Sequence, residues 1–296
     1  MSETIEQPQA GWRMKVAIFA LAASIFSVLW LAVAALGTKF GFWPWQVGLS
    51  QMSFQIAPMI IIIALGASVV ALTLALWKSP RFRPAVVSLA AGLIALSLLG
   101  RMGAQRELAY SLPPIHDIQT DWNNPIQFSS ALIDARNAQG GTNEISDAPV
   151  IPEAVEGGWP GMGGKLVSVA QEEAEAKESG KRTVYPKMES LYFSQSPTEL
   201  AAAAEQIINK RGWEIVASGP TGREAGDELQ IDATATSGWF GFKDDIAVRI
   251  SPVEGAVKVD IRSTSRVGLS DLGANSTRVY GLMIELEDRA DGRRAP

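Results

Sequence analysis

The chain has 296 residues and a formal charge of −5, with no cysteine and a single histidine. That length holds one good-sized domain plus a membrane section. The lack of cysteine excludes disulfides, thiolate chemistry, iron–sulfur clusters and cysteine zinc sites. The lone His116 excludes a multi-histidine metal site and speaks against a histidine-based triad. Residues 1–100 carry six Lys/Arg and two Asp/Glu, whereas residues 101–296 carry twenty and twenty-nine. The larger C-terminal part is therefore acidic, which argues against a nucleic-acid partner, since phosphate binding needs a basic surface.

Three apolar runs come first. Residues 16–38 carry no charge and are long enough to cross a hydrocarbon core of ~30 Å. The run is also longer than the apolar region of a cleaved signal peptide, so it reads as an anchor that is retained. Residues 56–77 form the second run, with Pro58 in its first turn, where no helical N–H is lost. The third, residues 84–100, is short and lies between Arg83 and Arg101, whose heads can snorkel. No ionisable residue falls inside a run, which argues against a transporter, channel or proton pump. Pairs such as Ala64/Ser68, Ser88/Gly92 and Ala91/Ala95 allow close helix approach.

The loop charges set an expected orientation. With the N-terminus inside, Arg13, Lys15, Lys78, Arg81 and Arg83 are cytoplasmic, and Lys39, Arg101 and Arg106 lie outside. That places the chain in the cytoplasmic membrane with its C-terminal domain in the periplasm. The aromatic loop Phe40–Trp45 then falls at the outer interface, the level that Trp rings prefer.

The domain reading is a membrane part at 1–105 and a soluble α+β domain at 187–296. Between them, 106–186 is an irregular linker and loop region packed on the soluble domain. In that region, 126–138 and 167–177 read as short helices. Gly157–Gly164 is loop chemistry without the Lys-Ser/Thr ending of a phosphate-binding loop. Leu191–Phe193 reads as a strand. Ser196-Pro197-Thr198-Glu199 is a capping box with proline at the first helical position, opening a helix that stops at Arg211-Gly212. Strands come next at 213–217 and 228–236. Ile246, Val248 and Ile250 alternate on the next strand, and Val257, Val259 and Ile261 on its partner, with 251–256 between them.

Matching those two apolar sets directly gives pairs whose residue numbers sum to 507. That register sets Asp245 opposite Arg262 as a cross-strand ion pair, with Asp260 diagonal to Arg249. A final helix spans about 275–288, with Val279, Met283 and Leu286 on one side. The predicted fold is α+β: three N-terminal transmembrane helices and a two-layer domain of mostly antiparallel sheet, with helices on one face.

Three segments carry a resemblance: Ile115-His116-Asp117-Ile118-Gln119-Thr120-Asp121, Trp239-Phe240-Gly241-Phe242-Lys243-Asp244-Asp245, and the stretch from Asp260 to Asn275. With Tyr185-Pro186 and Arg278, they make the chain similar to the family catalogued as domain of unknown function 1499, over roughly 113–286. Trp122-Asn123-Asn124 and Ile126 stand where that family is often richer in proline. The resemblance implies an uncharacterised membrane-anchored domain and brings no activity, cofactor or catalytic residue with it.

The candidate site comes from the end of the hairpin. Arg262, Ser265, Arg266, Ser270, Asp271, Asn275 and Arg278 crowd a strand end, a loop and a helix start. They can be an anion site for phosphate or carboxylate. They can equally be structural, with the arginines on Asp244, Asp245 or Asp271 and Asn275 or Ser276 capping the helix. Asp244 and Asp245 point to opposite faces of a strand, so they cannot serve as one carboxylate pair. Trp239, Phe240 and Phe242 can line a lipid pocket or form a core or membrane-facing turn. No nucleophile–base pair, metal site or cofactor motif stands out. The expected function is therefore a membrane-tethered, non-enzymatic accessory or interaction module. Its expected partners are the lipid bilayer and a second membrane or periplasmic protein. The alternative is a binding module for a small anionic or lipidic ligand.

Overall fold

The computed structural model describes residues 11–79, 81–177, 184–221 and 228–290. Its contacts gather into two units. One comprises the chain up to Glu107 with Gly238–Gly241, and the other comprises Leu108–Ser237 and Phe242 onward.

The first unit is built on three helices: α1 (Trp12–Lys39), α2 (Ala57–Trp77) and α3 (Phe82–Ser111), the last turn of which belongs to the second unit. All three are long and apolar enough to cross a membrane. The third is longer than the 84–100 run suggests, because helical geometry continues past Gly100 into polar sequence. Ahead of α2, Gln46–Ile56 winds as a π-helix, and the change to α-helical winding falls beside Pro58. Pro58 thus sits at a junction between windings rather than at a free helix start. Its ring and missing N–H are incompatible with an unbroken ladder, which marks the place.

Packing among these helices is small side chain on small side chain. Ala17, Ala20 and Ser24 of α1, Ala64, Ser68 and Ala71 of α2, and Ser88, Ala91 and Ala95 of α3 are buried. Ser24 Oγ donates to Ala91 O at 2.9 Å, and a Cβ on Gly92 would stand 3.2 Å from Ser68 Oγ. Large residues point outward instead: Phe19 is 67% exposed, Ile63 69% and Leu93 63%. A bundle folded by water would bury those groups, whereas lipid solvates them and leaves close backbone approach to hold the helices. Within the aromatic loop, Trp43 folds back over Gly37 and donates to Ala34 O at 3.2 Å.

The second unit is an antiparallel sheet in the order β1-β6-β5-β4-β3. The strands are β1 (Asp117–Gln119), β2 (Leu191–Phe193), β3 (Glu214–Pro220), β4 (Leu229–Thr236), β5 (Lys243–Val253) and β6 (Ala256–Ser265). β1 pairs with residues 262–264 of β6 and β2 with residues 257–259. One edge strand is thus assembled from two pieces of chain far apart in sequence. The sequence pattern gives no sign of β1, because three residues without alternation become a strand only by finding an open edge.

Helices α6 (Pro197–Lys210) and α7 (Ala274–Ala290) cover one face. Leu200, Ala204, Ile207, Val279, Leu282 and Leu286 meet Ile231, Ile246, Val248, Val259 and Ile261 there, in a continuous core. The capping box at Ser196–Glu199 forms as its sequence predicts, with Pro197 in the first turn. α5 (Val167–Ala176) joins this core through Val167 and Ala170. The second face is not bare. The segment from Thr120 to Asp147, containing α4 (Ser130–Gln139), lies over it and adds a third layer to the expected two. Ile126 to Ser129 has no regular structure rather than being helical, and α4 begins only where the Ser129 side chain accepts from Leu132 N.

The β5–β6 register differs from the direct matching of apolar sets. Pairs sum to 509: Val248 faces Ile261, Ile250 faces Val259, and Arg249 faces Asp260. The strands run on to Val253 and Ala256, closing on Glu254-Gly255 with Gly255 at φ 75°. A tight turn that glycine makes accessible keeps more ladder bonds than a longer loop at 251–256. A slip of two residues leaves each apolar side chain on the same face, so the core is unaffected.

Candidate functional site

Period-two alternation places Asp232 and Thr234 of β4, Asp245 and Arg249 of β5, Asp260 and Arg262 of β6, and Arg266 just past the end of β6, on the face opposite α6 and α7. Asp117 of β1 and Arg136 of α4 complete the layer. Four arginines and four aspartates are buried together, with Asp245 and Arg262 at 0% exposure. Burying that many charges is tolerable only when each is paired and its remaining donors are used.

The pairing is specific. Asp245 receives Nε and Nη2 of Arg266, both at 2.8 Å, Nη1 of Arg136 at 2.7 Å and Thr234 Oγ1 at 2.7 Å. Arg262 forks onto Asp117, with Nε at 3.0 Å from one oxygen and Nη2 at 2.6 Å from the other. Arg249 donates to Asp260, which also accepts from Ser190 Oγ and faces Lys258 at the rim. Asp232 takes the backbone N–H of Ser129 and the amide of Gln230. Burial raises the Asp232 carboxyl above its ordinary range, against those hydrogen bonds.

The expected Asp245–Arg262 pair is therefore corrected. In the observed register Arg262 faces Ala247, and Asp245 faces Thr264. Each charge takes a partner brought from elsewhere in the chain: Asp117 for Arg262, and Arg266 with Arg136 for Asp245. Arg249 and Asp260 do pair, directly across rather than on a diagonal.

The other arginine donors explain what the layer does. Arg262 donates to Ile126 O at 2.7 Å and to Ser146 O at 2.8 Å. Arg249 reaches Asn124 O, Arg136 reaches Asn143 O, and Arg266 reaches Ala135 O. These carbonyls belong to the covering segment, so the guanidiniums pin an irregular stretch of chain to the sheet. Guanidinium suits the task, because five donors in a fixed fork can satisfy one carboxylate and several carbonyls at once. Ile126, Phe128 and Leu132 pack beside them against Ala247. The Arg262 guanidinium also lies 5.4 Å over the Phe128 ring.

The candidate anion site does not converge. Arg262 and Arg266 lie in the buried layer, whereas Ser265, Asn275 and Arg278 lie on the helical face. Arg278 donates to Asp244 at 2.6 Å and to Asn275 Oδ1 at 2.5 Å. Asn275 in turn accepts from Ser263 Oγ and donates to Ser265 Oγ and His116 O. Asp271 holds the start of α7, accepting from the N–H groups of Gly273 and Asn275, both at 2.8 Å. Burial pushes its carboxyl up to about 6, against the pull of those two N–H groups. Ser270 Oγ accepts from Leu272 N in the same loop. Of the pairings expected for a structural role, Arg266 takes Asp245 and Arg278 takes Asp244, whereas Arg262 takes Asp117 and the start of α7 is held by Asp271 rather than by Asn275 or Ser276.

Trp239 is 65% exposed in the β4–β5 turn, and Phe242 N donates to Ser237 Oγ there. The glycine-rich loop at 157–164 cradles a carboxylate of its own chain: Gly161 N and Gly163 N donate to the two oxygens of Glu156. These bonds hold Glu156 below the usual carboxylate range. Burial lowers the His116 imidazole, whose buried Nδ1 has no partner among the described residues. Among the described residues no group of three or more His, Asp or Glu side chains could hold a metal ion.

Asp117 and Arg136 were not legible as members of the layer. Arg136 carried one signal: it stands four residues after Leu132, on the buried side of a short amphipathic helix, where a cation needs an internal anion.

No curated protein matches the chain, and no solved structure does. A family model described as protein of unknown function, DUF1499, matches residues 117–286, from the carboxylate that holds Arg262 to the end of the apolar face of α7. Covering more than half of the chain, that match makes this protein a member of the DUF1499 family.

Proposed function

We propose that this protein is a membrane-tethered interaction module that works without catalysis. Its three apolar helices span the cytoplasmic membrane with the N-terminus inside, and its α+β domain meets a second membrane or periplasmic protein on the outer side. Small buried residues and large outward ones support the membrane part. The charge count of the loops supports the orientation. The inward-turned arginine layer supports a rigid scaffold over a reactive or anion-binding surface.

The observation that carries the partner reading is the loop from Val267 to Gly273. Leu269 is 50% exposed and Leu272 38% exposed. Leu272 adopts φ 55°, the left-handed region that costs a branched residue about 1–2 kcal/mol. Asn143 Nδ2 fixes the loop from behind by donating to Ser265 O and Gly268 O. A strained backbone held rigidly so that two leucines face outward suits protein docking.

Because the chain has no cysteine, single cysteines report topology cleanly. Asn123→Cys is expected to react with an impermeant maleimide on intact cells, and Lys78→Cys only after lysis. The reverse pattern refutes the orientation, and release of the protein by alkaline carbonate refutes the tethering. A photo-crosslinking residue at Leu269 is expected to capture one discrete protein in cells. Capture of lipid alone, or of nothing, refutes the partner reading.

A further inference from the structure

Within the α+β unit lies a cavity of about 360 Å³ that the sequence does not announce. Tyr110, Leu112, Trp159, Met162, Ala174 and Tyr185 form its apolar wall, with Glu173 and Lys177 as its charged members. The wall is preformed. Trp159 Nε1 donates to Ala109 O at 3.2 Å and Leu112 O at 2.9 Å, and its ring packs 5.1 Å from that of Tyr110. The two hydrogen bonds fix the Trp159 indole, so that side of the cleft is held open without a ligand.

The charge of the wall is also defined. Lys165 Nζ bridges both oxygens of Glu173, at 2.9 and 2.7 Å, and so compensates that carboxylate. Among the described residues Glu173, Lys165 and Lys177 then sum to one positive charge, with Lys177 also close enough to Glu173 to favour its ionised form. At about 30 Å³ for each water-sized atom, the volume holds a body of about a dozen heavy atoms.

We propose that this cavity binds a short-chain anionic amphiphile, with its apolar body among Tyr110, Trp159 and Met162 and its carboxylate or phosphate at Lys177. Aromatic and methionine walls accept an alkyl chain without demanding one shape, and the Lys177 ammonium favours an anion over a neutral or cationic head. No lining residue belongs to the leucine loop or the arginine layer, although Val184 abuts Gly273 at the end of that loop, and labelling at 158–177 is read separately from crosslinking at Leu269, so the two readings can fail independently.

The test uses the full chain in phosphatidylcholine nanodiscs and a decanoic acid probe carrying a diazirine. Photolabel is expected in the peptides that contain residues 158–162 or 170–177. Unlabelled decanoate is expected to protect, and decylammonium is not. Ala174→Trp fills the cavity and should abolish labelling. Lys177→Gln should raise the half-protecting decanoate concentration about two- to fivefold, the effect of one exposed ion pair.

Protection by decanoyl lysophosphatidylglycerol as well as decanoate assigns the ligand to phospholipid, and protection by decanoate alone assigns it to free acid. Both support the shared chemistry. Label elsewhere, no protection by decanoate, or equal protection by decylammonium overturns it. Should Ala174→Trp fail to fold, the Lys177→Gln shift and the decylammonium comparison still decide.

Discussion

The guanidinium of Arg266 lies edge-on against the carboxylate of Asp245, Nε on one oxygen and Nη2 on the other, each at 2.8 Å. Both side chains are closed to solvent. Removing Asp245 leaves two buried guanidiniums, Arg266 and Arg136, without their carboxylate, which costs about 3–5 kcal/mol, whereas removing Arg266 leaves Asp245 still held by Arg136 and Thr234. Asp245→Asn is expected to lower stability by that amount, and Arg266→Leu by less, in thermal or denaturant unfolding of the detergent-solubilised protein. A loss under about 1 kcal/mol for both would show that water reaches the layer.

Arg262 ties three parts of the chain: Asp117 on β1, Ile126 O and Ser146 O. Arg262→Ala should therefore loosen the covering segment before it disrupts the sheet. Trypsin is expected to cut after Arg136, protected in the parent by burial, while fragments spanning β4 to β6 stay intact. Uniform degradation of the variant instead would mean that the segment and the sheet unfold as one unit.

Asp271 supplies a pH signature. Its folded pKa of about 6 lies above the ordinary 3.8, with burial as the main cause. Between those values the unfolded chain has released the proton and the folded chain still holds it. The contribution of Asp271 to stability is therefore fully present below about pH 4, falls as pH rises towards 6, and stays lost above that. Asp271→Asn cannot titrate, so its melting temperature relative to the parent is expected to rise between about pH 4 and pH 7. A difference that does not change with pH would contradict the raised carboxyl.

Tyr185 is 2% exposed, and its hydroxyl has no hydrogen-bond partner among the described residues. Burial without a partner also pushes the phenol pKa up, keeping it neutral. Tyr185→Phe removes a polar group that gained nothing on folding, so it should leave stability unchanged or raise it by about 1 kcal/mol. A marked loss in a thermal melt would reveal a partner for the hydroxyl.

Two glycines separate backbone strain from collision. Gly255 has φ 75° with open space around it, whereas Gly273 has φ 80° and a Cβ there would collide with Val184 Cγ1. Gly255→Ala should cost about 1 kcal/mol, the strain alone. Gly273→Ala should cost about 1–3 kcal/mol more, because Val184 must move. Equal losses in denaturant titration would mean that Val184 gives way freely.

Local chemistry settled much of this protein before any folding. Charge-free runs longer than a bilayer core make α1 and α2, and Ser196-Pro197-Thr198-Glu199 starts α6. Alternation assigns Ile246, Val248 and Ile250 to the helix-covered face whatever the register. These are properties of neighbouring residues, so periodicity reveals them.

Tertiary structure decided the rest. Registers summing to 507 and 509 satisfy the same alternation, and only the Glu254-Gly255 turn separates them. That two-residue difference reassigns each cross-strand ion pair. The partners of the buried charges come from far along the chain, Asp117 at 145 residues from Arg262 and Arg136 at 109 from Asp245. An arginine on a strand requires an acid nearby in space, and alternation along one strand does not say which. The choice falls to the covering segment, whose carbonyls accept from those guanidiniums and whose small apolar cluster packs beside them.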